Sequence, residues 1–325
     1  MASDCQPRPS GYHRAAVPSW LLKAGVQGAI SLAPGHHRLN ALLQQHVTRS
    51  LKLSEDVFAT KIAQCGHHLA RFREVRDQER PPGTVLELGT GWYPIVPIGL
   101  ALAGADAVTT LDVSSLTDAD RTRRTLELYA AWLHSGRLAS ALPGLDAARA
   151  ERTLSAARDT GSATAGELLA RVGVRAFVGD GRATGLSDGT IELVVSNNTF
   201  EHIPPTVLQA IMAELRRVAS RGAVMDHFVD ISDHYAHFDR SISEFNYLRY
   251  PPRAWRLFNN RLQYQSRLRA SDYRRLIVDA GFTVVAEEAQ CGAAQELAGI
   301  PLAPQFRHYA QDDLLVLRTW ITAVA

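Results

Sequence analysis

Apolar positions along this chain fall into short continuous runs separated by stretches with helical spacing. The runs predict buried strands at 84–88, 107–113, 174–178, 191–196 and 223–229, with two more candidates at 282–287 and 314–322. Helical spacing between them predicts helices over 207–219 and 271–280, the second capped by Ser271 and stopped by Gly281. Alternating strands and helices predict an α/β fold with a doubly wound, mostly parallel sheet.

Four segments do not fit this alternation. Residues 1–19 are rich in Pro, Ser and Gly and predict a loose arm, whereas 36–78 shows helical spacing. Two later stretches are longer than one crossover needs, and they predict a lid and an acceptor pocket. The first of them could equally serve a dimer interface. The predicted organisation is an N-terminal arm and helical lid segment at 1–80, and a main domain at 81–325 with insertions at about 114–172 and 230–270.

Composition narrows the class of partner. Apolar residues make up 46% of the 325 positions, and the formal net charge is only +2. A nearly balanced charge gives no general attraction to nucleic acid or to an anionic membrane. Cys5, Cys65 and Cys291 are too far apart to indicate a disulfide framework or a zinc site. We therefore expect a cytoplasmic protein with a small-molecule partner, no nucleic acid and no membrane, and we leave a homodimer open.

The strongest chemical motif is the turn after the first strand, Glu87-Leu-Gly89-Thr-Gly91. Glycines allow a tight turn and a close approach to a ligand, and the following helix offers free N–H groups. Asp112 ends the next strand, where its carboxylate can accept hydrogen bonds from a ribose. The arrangement indicates a nucleoside-containing cofactor, although turn glycines and a solvated acid are the simpler alternative.

Three features favour S-adenosylmethionine (SAM) over NAD as that cofactor. Tyr93-Pro94 stand where a dinucleotide fingerprint has its third glycine, which a pyrophosphate requires. Asp180 lies between two glycines after the third strand, where it can accept from an adenine amino group. The fourth strand ends in a polar run that includes Asn197 and Glu201-His202.

With these motifs the chain resembles the class I SAM-dependent methyltransferases. The matching parts are the ELGTG turn, Asp112, Gly179-Asp180, the run at 188–204 and the tail at 271–285. The resemblance implies a seven-stranded sheet with an antiparallel last strand, and a departure from the usual turn at Tyr93. It implies that Glu87, Gly89 and Gly91 cradle the methionine part, Asp112 the ribose, and Asp180 with Gly181 the adenine. The predicted cofactor site is completed by Thr90, Val113 and Asn197.

Catalytic candidates are concentrated in the His- and Asp-rich segment at 226–239, which follows the fifth strand. Histidine is suited to removing a proton from a hydroxyl or amine. We prefer His234 and His237, with His202 behind them because a structural role is at least as plausible there. The second interpretation of this segment is a polar loop with a structural role only. A metal site built from Asp230, Asp233, His234 and His237 comes third, and since no strict metal spacing occurs, none is predicted.

Acceptor binding is predicted from the residues around the strand ends and in the second insertion. Arginines mixed with aromatic residues at 246–269 suit a flat or anionic acceptor, though they equally suit a surface helix. For an acidic acceptor, Arg249, Arg267 and Arg269 are the preferred contacts. The predicted acceptor residues are Tyr93, Asn198, Asp230, Asp233, Asn246, Arg249, Tyr250 and Arg267.

The sequence thus predicts a SAM-dependent methyltransferase that acts on an oxygen or nitrogen of a small molecule, in a setting such as bacterial specialised metabolism. Three alternatives stay open: methylation of nucleic acid or protein, SAM binding without methyl transfer, and a NAD-dependent oxidoreductase. The first is disfavoured by the near-neutral charge and by the absence of an Asn/Asp-Pro-Pro-aromatic run after the fourth strand. The last is disfavoured by Tyr93.

Overall fold

A computed structural model describes residues 20–21, 23–25, 53–158, 161–260 and 264–325. The predicted loose arm at 1–19 and the start of the predicted lid segment, up to residue 52 apart from those five positions, lie outside the described residues. Among the helices that are described, none combines the length and the apolar character needed to cross a membrane.

One seven-stranded sheet organises the described chain, in the order β3-β2-β1-β4-β5-β7-β6. Strands β1 to β5 are parallel to one another, whereas β7 runs antiparallel to both β5 and β6. The predicted fold class and the antiparallel last strand are confirmed. The strands are β1 Thr84–Leu88, β2 Ala107–Asp112, β3 Val174–Val178, β4 Ile191–Asn197, β5 Ala219–Asp230, β6 Thr283–Cys291 and β7 Val316–Val324.

Helices cover both faces of this sheet. They are α1 Glu55–Arg76, α2 Ile95–Leu102, α3 Ala119–His134, α4 Arg137–Ala141, α5 Ala147–Ala157, α6 Ala165–Arg171, α7 Pro205–Val218, α8 Pro252–Trp255, α9 Ala270–Asp279, α10 Ala294–Ala298 and α11 Gln311–Leu315. Short 3₁₀ turns occur at Phe200–His202, Asn246–Arg249 and Pro304–Phe306. The first of these turns directly follows β4 and carries part of the site described below.

Several predicted boundaries are shifted in the structure, among them those of β7 and α9. Residues 314–315 end α11, so β7 begins at Val316, two residues later than the apolar run indicates. Ser271 does not cap α9, because its hydroxyl donates instead to the Asp313 carboxylate. The helix begins one residue earlier, and the Asp272 carboxylate accepts the N–H of Arg269 at 3.0 Å.

The first predicted insertion, at about 114–172, forms helices α3 to α6 between β2 and β3. These helices pack on α2 and α1 in the core of one sheet face, where Tyr129, Leu154 and Leu168 are buried. The Tyr129 hydroxyl donates to the Ile95 carbonyl at 2.6 Å and ties the insertion to α2. The segment therefore forms a structural layer of the core, and a lid function for it stays a prediction.

Candidate cofactor and acceptor site

A cavity of about 580 Å³ opens at the carboxyl ends of β1, β2 and β4. The sheet order reverses between β1 and β4, the point where open α/β sheets bind ligands. Its wall comes from three parts of the chain: the start of α1, the turn after β1, and the ends of the neighbouring strands. The lining residues are Leu53, Val57, Lys61, Glu87–Tyr93, Ile95, Val96, Leu111–Val113, Leu116, Gly179, Gly181, Asn197–Thr199, His202, Ile203 and Ile211.

The turn after β1 depends on two glycines with left-handed backbone. Gly89 has φ +89° and Gly91 has φ +67°, a region that other residues rarely adopt. A β-carbon on Gly89 would approach Thr199 Oγ1 to 2.3 Å, whereas one on Gly91 would meet no described atom within 4 Å. Gly91 therefore leaves open space beside the cavity, as a backbone in close contact with a ligand should.

Asp112 is fixed at the end of β2 by two backbone donors. Its Oδ2 accepts the N–H of Gly91 and its Oδ1 accepts the N–H of Ser114, both at 3.0 Å. A carboxylate oxygen has two lone pairs, so each oxygen can accept a further hydrogen bond. The geometry suits the ribose contact that the resemblance implies.

Glu87 lies buried in the cavity wall, and Thr110 Oγ1 donates to its Oε2 at 2.6 Å. Burial raises the pKa of Glu87 to about 8, against the lowering effects of Thr110 and of the nearby Lys61. Lys61 comes from α1, and its Nζ donates to Asn198 Oδ1 at 3.0 Å. Burial lowers the pKa of Lys61 in turn. Sequence reasoning missed Lys61, because a lysine within a helical repeat carries no signal of the cavity it faces.

Asn197 is held by a buried hydrogen-bonded chain that reaches across the sheet. Its Nδ2 donates to His68 Nε2 at 2.9 Å, so the His68 proton is on Nδ1, which donates to Asp226 at 2.7 Å. Thr322 donates to the other oxygen of Asp226. The Oδ1 of Asn197 is buried and has no hydrogen-bond partner among the described residues. A polar ligand in the cavity would satisfy it, and His68 is a second residue that sequence reasoning missed.

Asp180 differs from the other predicted cofactor residues because its side chain is turned to solvent. Arg182 donates to its carboxylate from both the backbone and the guanidinium. The hydrogen bonds from Arg182 lower the pKa of Asp180 to about 2. Gly179 and Gly181 on either side do line the cavity, whereas Asp180 is not among the residues that line it.

The structure brings most of the predicted cofactor residues together and divides the predicted acceptor residues. Among the described residues, the following predicted ones line the cavity: Glu87, Gly89, Thr90, Gly91, Asp112, Val113, Gly181, Asn197, Tyr93, Asn198 and His202. The remaining predicted acceptor and catalytic residues do not line the cavity: His234, His237, Asp230, Asp233, Asn246, Arg249, Tyr250 and Arg267. The second group follows β5 and mostly shapes the loops there.

Side-chain pairing explains why those polar residues are elsewhere. Asp233 is buried, accepting the N–H of Tyr235 at 2.8 Å and the Asn246 amide at 3.0 Å. Arg267 stacks on Trp255, with its guanidinium 4.9 Å from the ring centroid, and donates to the Tyr250 carbonyl at 2.6 Å. These groups satisfy one another inside the fold, which a sequence pattern cannot distinguish from an acceptor pocket.

Arg269, the third arginine preferred for an acidic acceptor, is fully buried. Its guanidinium donates to the carbonyls of Ile231, Asp313 and Leu314, and so joins β5 to the segment before β7. The cation is therefore used to satisfy backbone acceptors within the fold.

Three histidines form a row that leads away from the cavity. The ring centroids of His202 and His234 are 5.0 Å apart, and those of His234 and His237 are 5.3 Å apart. His202 belongs to the cavity wall, so it is the member of the predicted catalytic set that the cavity reaches. Burial, together with the neighbouring His202, lowers the pKa of His234 to about 3.

A metal-capable group occurs in the same place. One ligand atom from each of Glu201, His202 and His234 lies within 4.8 Å of the others. This set differs from the four residues weighed in the sequence, since it uses Glu201 from the 3₁₀ turn after β4. Burial raises the pKa of Glu201 to about 8.

The cavity residues fit SAM on chemical grounds. The Asp112 carboxylate can accept hydrogen bonds from the ribose diol. The Oδ1 of Asn197, which has no partner among the described residues, can accept an N–H of the ligand, and Gly91 allows the ligand to approach the backbone closely. The glycine turn lacks the third glycine that a pyrophosphate would need.

Comparison with known proteins gives one family match. A family model described as a methyltransferase domain matches residues 128–225, which run from α3 into β5. Among curated proteins, none matches the sequence significantly.

Several solved structures are similar to this chain at low identity. One is a SAM-dependent methyltransferase from Methanosarcina mazei, 15% identical, covering 76% of this chain and 93% of that one, with a TM-score of 0.40. Another, from Mesorhizobium loti, is 13% identical, covering 79% and 96%, with a TM-score of 0.42. A geranyl diphosphate C-methyltransferase from Streptomyces coelicolor A3(2) is 13% identical, covering 78% of each chain, also with a TM-score of 0.42.

The family match coincides with the observed geometry. The matched residues include β3, β4 and the end of β4 that forms part of the cavity wall, and the sheet has the seven strands and the antiparallel last strand that the resemblance implies. Residues 128–225 of this chain are thus similar to a methyltransferase domain, and they include part of the cavity wall.

Proposed function

We propose that this protein transfers the methyl group of SAM to an oxygen or nitrogen atom of a small molecule. The observation that carries the proposal is the cavity itself. Leu53, Val57 and Lys61, at and just before the start of α1, contribute to a wall that otherwise comes from the sheet ends. A volume of about 580 Å³ lies within the range of roughly 300–1,000 Å³ that is typical of small-molecule pockets.

The distribution of arginine supports a small acceptor rather than nucleic acid. Residues 249–275 hold the local excess of arginine in the sequence, which could have formed a basic stripe. Arg267 and Arg269 instead donate to backbone carbonyls inside the fold. The cavity wall around Trp92 and Ile95 is largely apolar, which suits an acceptor with an apolar body.

When bound, SAM supplies an electrophilic methyl group on its sulfonium, and this group bonds to the acceptor atom while the sulfur keeps the electron pair. The chain contributes mainly by holding the reacting atoms in line. Asp112 and Asn197 orient the cofactor end of the cavity. His202 lies in the turn that follows β4, and its Nδ1 donates to the Tyr264 carbonyl at 2.8 Å, so the lone pair is on Nε2. We place the nucleophilic atom of the acceptor beside His202, where its proton leaves.

A fractionation experiment tests the class of acceptor. The full chain is incubated with SAM that carries a labelled methyl group and with a cell extract divided into small-molecule, protein and nucleic-acid fractions. We expect acceptor-dependent label in the small-molecule fraction, lost in Asp112→Ala and retained in Asp106→Ala, which alters an exposed acid at the opposite end of β2. Label confined to protein or nucleic acid would overturn the proposal.

A further inference from the structure

Glu201 stands out among the buried acids because one of its carboxylate oxygens has no hydrogen-bond partner among the described residues. Asp226 has His68, and Asp230 has Arg318, with Nε 3.4 Å from its Oδ2. Glu201 is fully buried, and no cationic group of the described residues lies within ion-pair distance of it. Its Oε1 accepts the N–H of Asp230 at 3.3 Å, whereas its Oε2 has no hydrogen-bond partner in the described part of the chain.

Two imidazoles converge on this carboxylate. A ring nitrogen of His202, a ring nitrogen of His234 and a carboxylate oxygen of Glu201 all lie within 4.8 Å of one another. Two ligands at the tetrahedral angle around one ion lie about 3.4 Å apart, since each bond is about 2.0–2.2 Å long. The three groups are therefore close enough for changes in their side-chain torsions to bring them onto one ion.

Backbone groups orient all three side chains as they do around metal ions. His202 donates its Nδ1 proton to the Tyr264 carbonyl, which leaves the lone pair on Nε2. His234 donates from Nε2 to the Asp230 carbonyl at 3.3 Å, which leaves the lone pair on Nδ1. Metal-binding histidines usually give their second N–H to a carbonyl or carboxylate in this way.

We propose that Glu201, His202 and His234 bind a divalent transition-metal ion at the wall of the cofactor cavity. Two imidazoles and one carboxylate favour ions such as Zn²⁺, Co²⁺ or Fe²⁺ over Mg²⁺ and Ca²⁺, which prefer oxygen ligands. His237 and Asp230 stand outside the ligand set. His237 is hydrogen-bonded to Ser232 Oγ at 3.0 Å, and Asp230 accepts from the same hydroxyl and pairs with Arg318.

The position of the metal site indicates the chemical class of the acceptor. This inference rests on the proposed function. Three protein ligands leave coordination positions open, and His202 places them at the cavity wall. An acceptor hydroxyl that binds the ion there loses its proton more easily, because the cation stabilises the oxyanion. The acceptor is therefore an oxygen-donor ligand, a phenol or hydroxy acid rather than an amine.

Cobalt titration tests the site without reference to activity. The full chain is stripped with a chelator and titrated with Co²⁺, whose visible absorption bands report coordination by imidazole. We expect stoichiometric binding by the parent chain and weaker binding by Glu201→Gln and His234→Gln. The loss should be at least about tenfold, the lower end of what removal of even an outer-shell partner costs. Mg²⁺ should not displace Co²⁺.

His237→Gln is the matched control, since it alters the same histidine row outside the ligand set and should leave Co²⁺ binding unchanged. Circular dichroism establishes that each variant is folded. The absence of Co²⁺ bands in the parent chain, or equal binding by Glu201→Gln and the parent, would overturn the inference. Binding of S-adenosylhomocysteine (SAH), measured on the same samples, separates the two proposals: SAH binding without Co²⁺ binding defeats only the metal site, and the reverse defeats only the proposed function.

Discussion

At the scale of single residues, the sequence located those site residues that lie at the ends of predicted strands. Glu87, Gly91 and Asp112 each follow directly from a strand end, so the strand pattern alone brings them together. Lys61 and His68 come from a helix whose repeat looks ordinary, and only the folded chain brings them to the cavity and to Asn197. Long-range partners of this kind leave no local trace in a sequence.

The two glycines of the turn should respond differently to the same change. Gly89→Ala places a β-carbon 2.3 Å from Thr199 Oγ1 and adds the strain of a positive φ, so we expect clear destabilisation. Gly91→Ala meets no described atom and should cost only about 1–2 kcal/mol of backbone strain, yet it should weaken SAH binding by filling ligand space. Urea unfolding and calorimetry measure the two effects. Equal stability of the two variants would contradict this account of the turn.

Glu87 should make the stability of the ligand-free protein depend on pH. Its pKa is about 8 in the fold and near 4.5 when unfolded, so the folded state holds the proton more tightly. The contribution of Glu87 to the free energy of unfolding is complete below about pH 4.5. It is lost as the pH rises through about 8, and the total loss is a few kcal/mol.

Urea unfolding between pH 5 and pH 8.5 measures this effect. Glu87→Gln should flatten the decline, because its side chain does not titrate, whereas the exposed Glu127→Gln should leave the slope unchanged. An identical slope in Glu87→Gln and the parent chain would show that the Glu87 proton is not involved.

At the scale of elements, strand prediction worked where glycines bound an apolar run on both sides, as they do for β1 and β3. β1 and β3 have the bounds that their apolar runs predict, whereas β5 begins four residues before its run, at 219 rather than 223. The early part of β5 contains Arg221-Gly222, which no apolar pattern includes. The paired polar groups after β5 were equally hard to assign, because a hydrogen-bonded loop and a pocket use the same residue types.

The contact between α1 and β5 depends on one buried acid. Burial alone would raise the pKa of Asp226, but the hydrogen bonds from His68 and Thr322 oppose this effect, and the pKa is lowered overall. Asp226→Ala leaves the buried donors of His68 and Thr322 without their acceptor, and we expect it to reduce the free energy of unfolding by about 2–4 kcal/mol. Thr322→Val removes one hydrogen bond to the same carboxylate and should cost about 1 kcal/mol. Equal effects of the two variants in urea unfolding would contradict a central role for the His68–Asp226 pair.

At the scale of the whole molecule, the sheet, the helical layers and the cavity form one arrangement around the switch point between β1 and β4. The sequence allowed the fold class to be predicted from the alternation of strands and helices, and the proposal of SAM as cofactor rests on the chemistry of the strand ends. The proposed acceptor site could not be predicted in the same way. It depends on α1 and on the turn after β4, whose meeting is a property of the folded chain.

Calorimetric titration with SAH and with NAD tests the central claim most directly. The parent chain should bind SAH at micromolar concentration and NAD far more weakly, and binding should fall sharply in Asp112→Ala but persist in Asp106→Ala. Binding of NAD in preference to SAH, or SAH binding that is unchanged in Asp112→Ala, would contradict the assignment of this cavity as the SAM site.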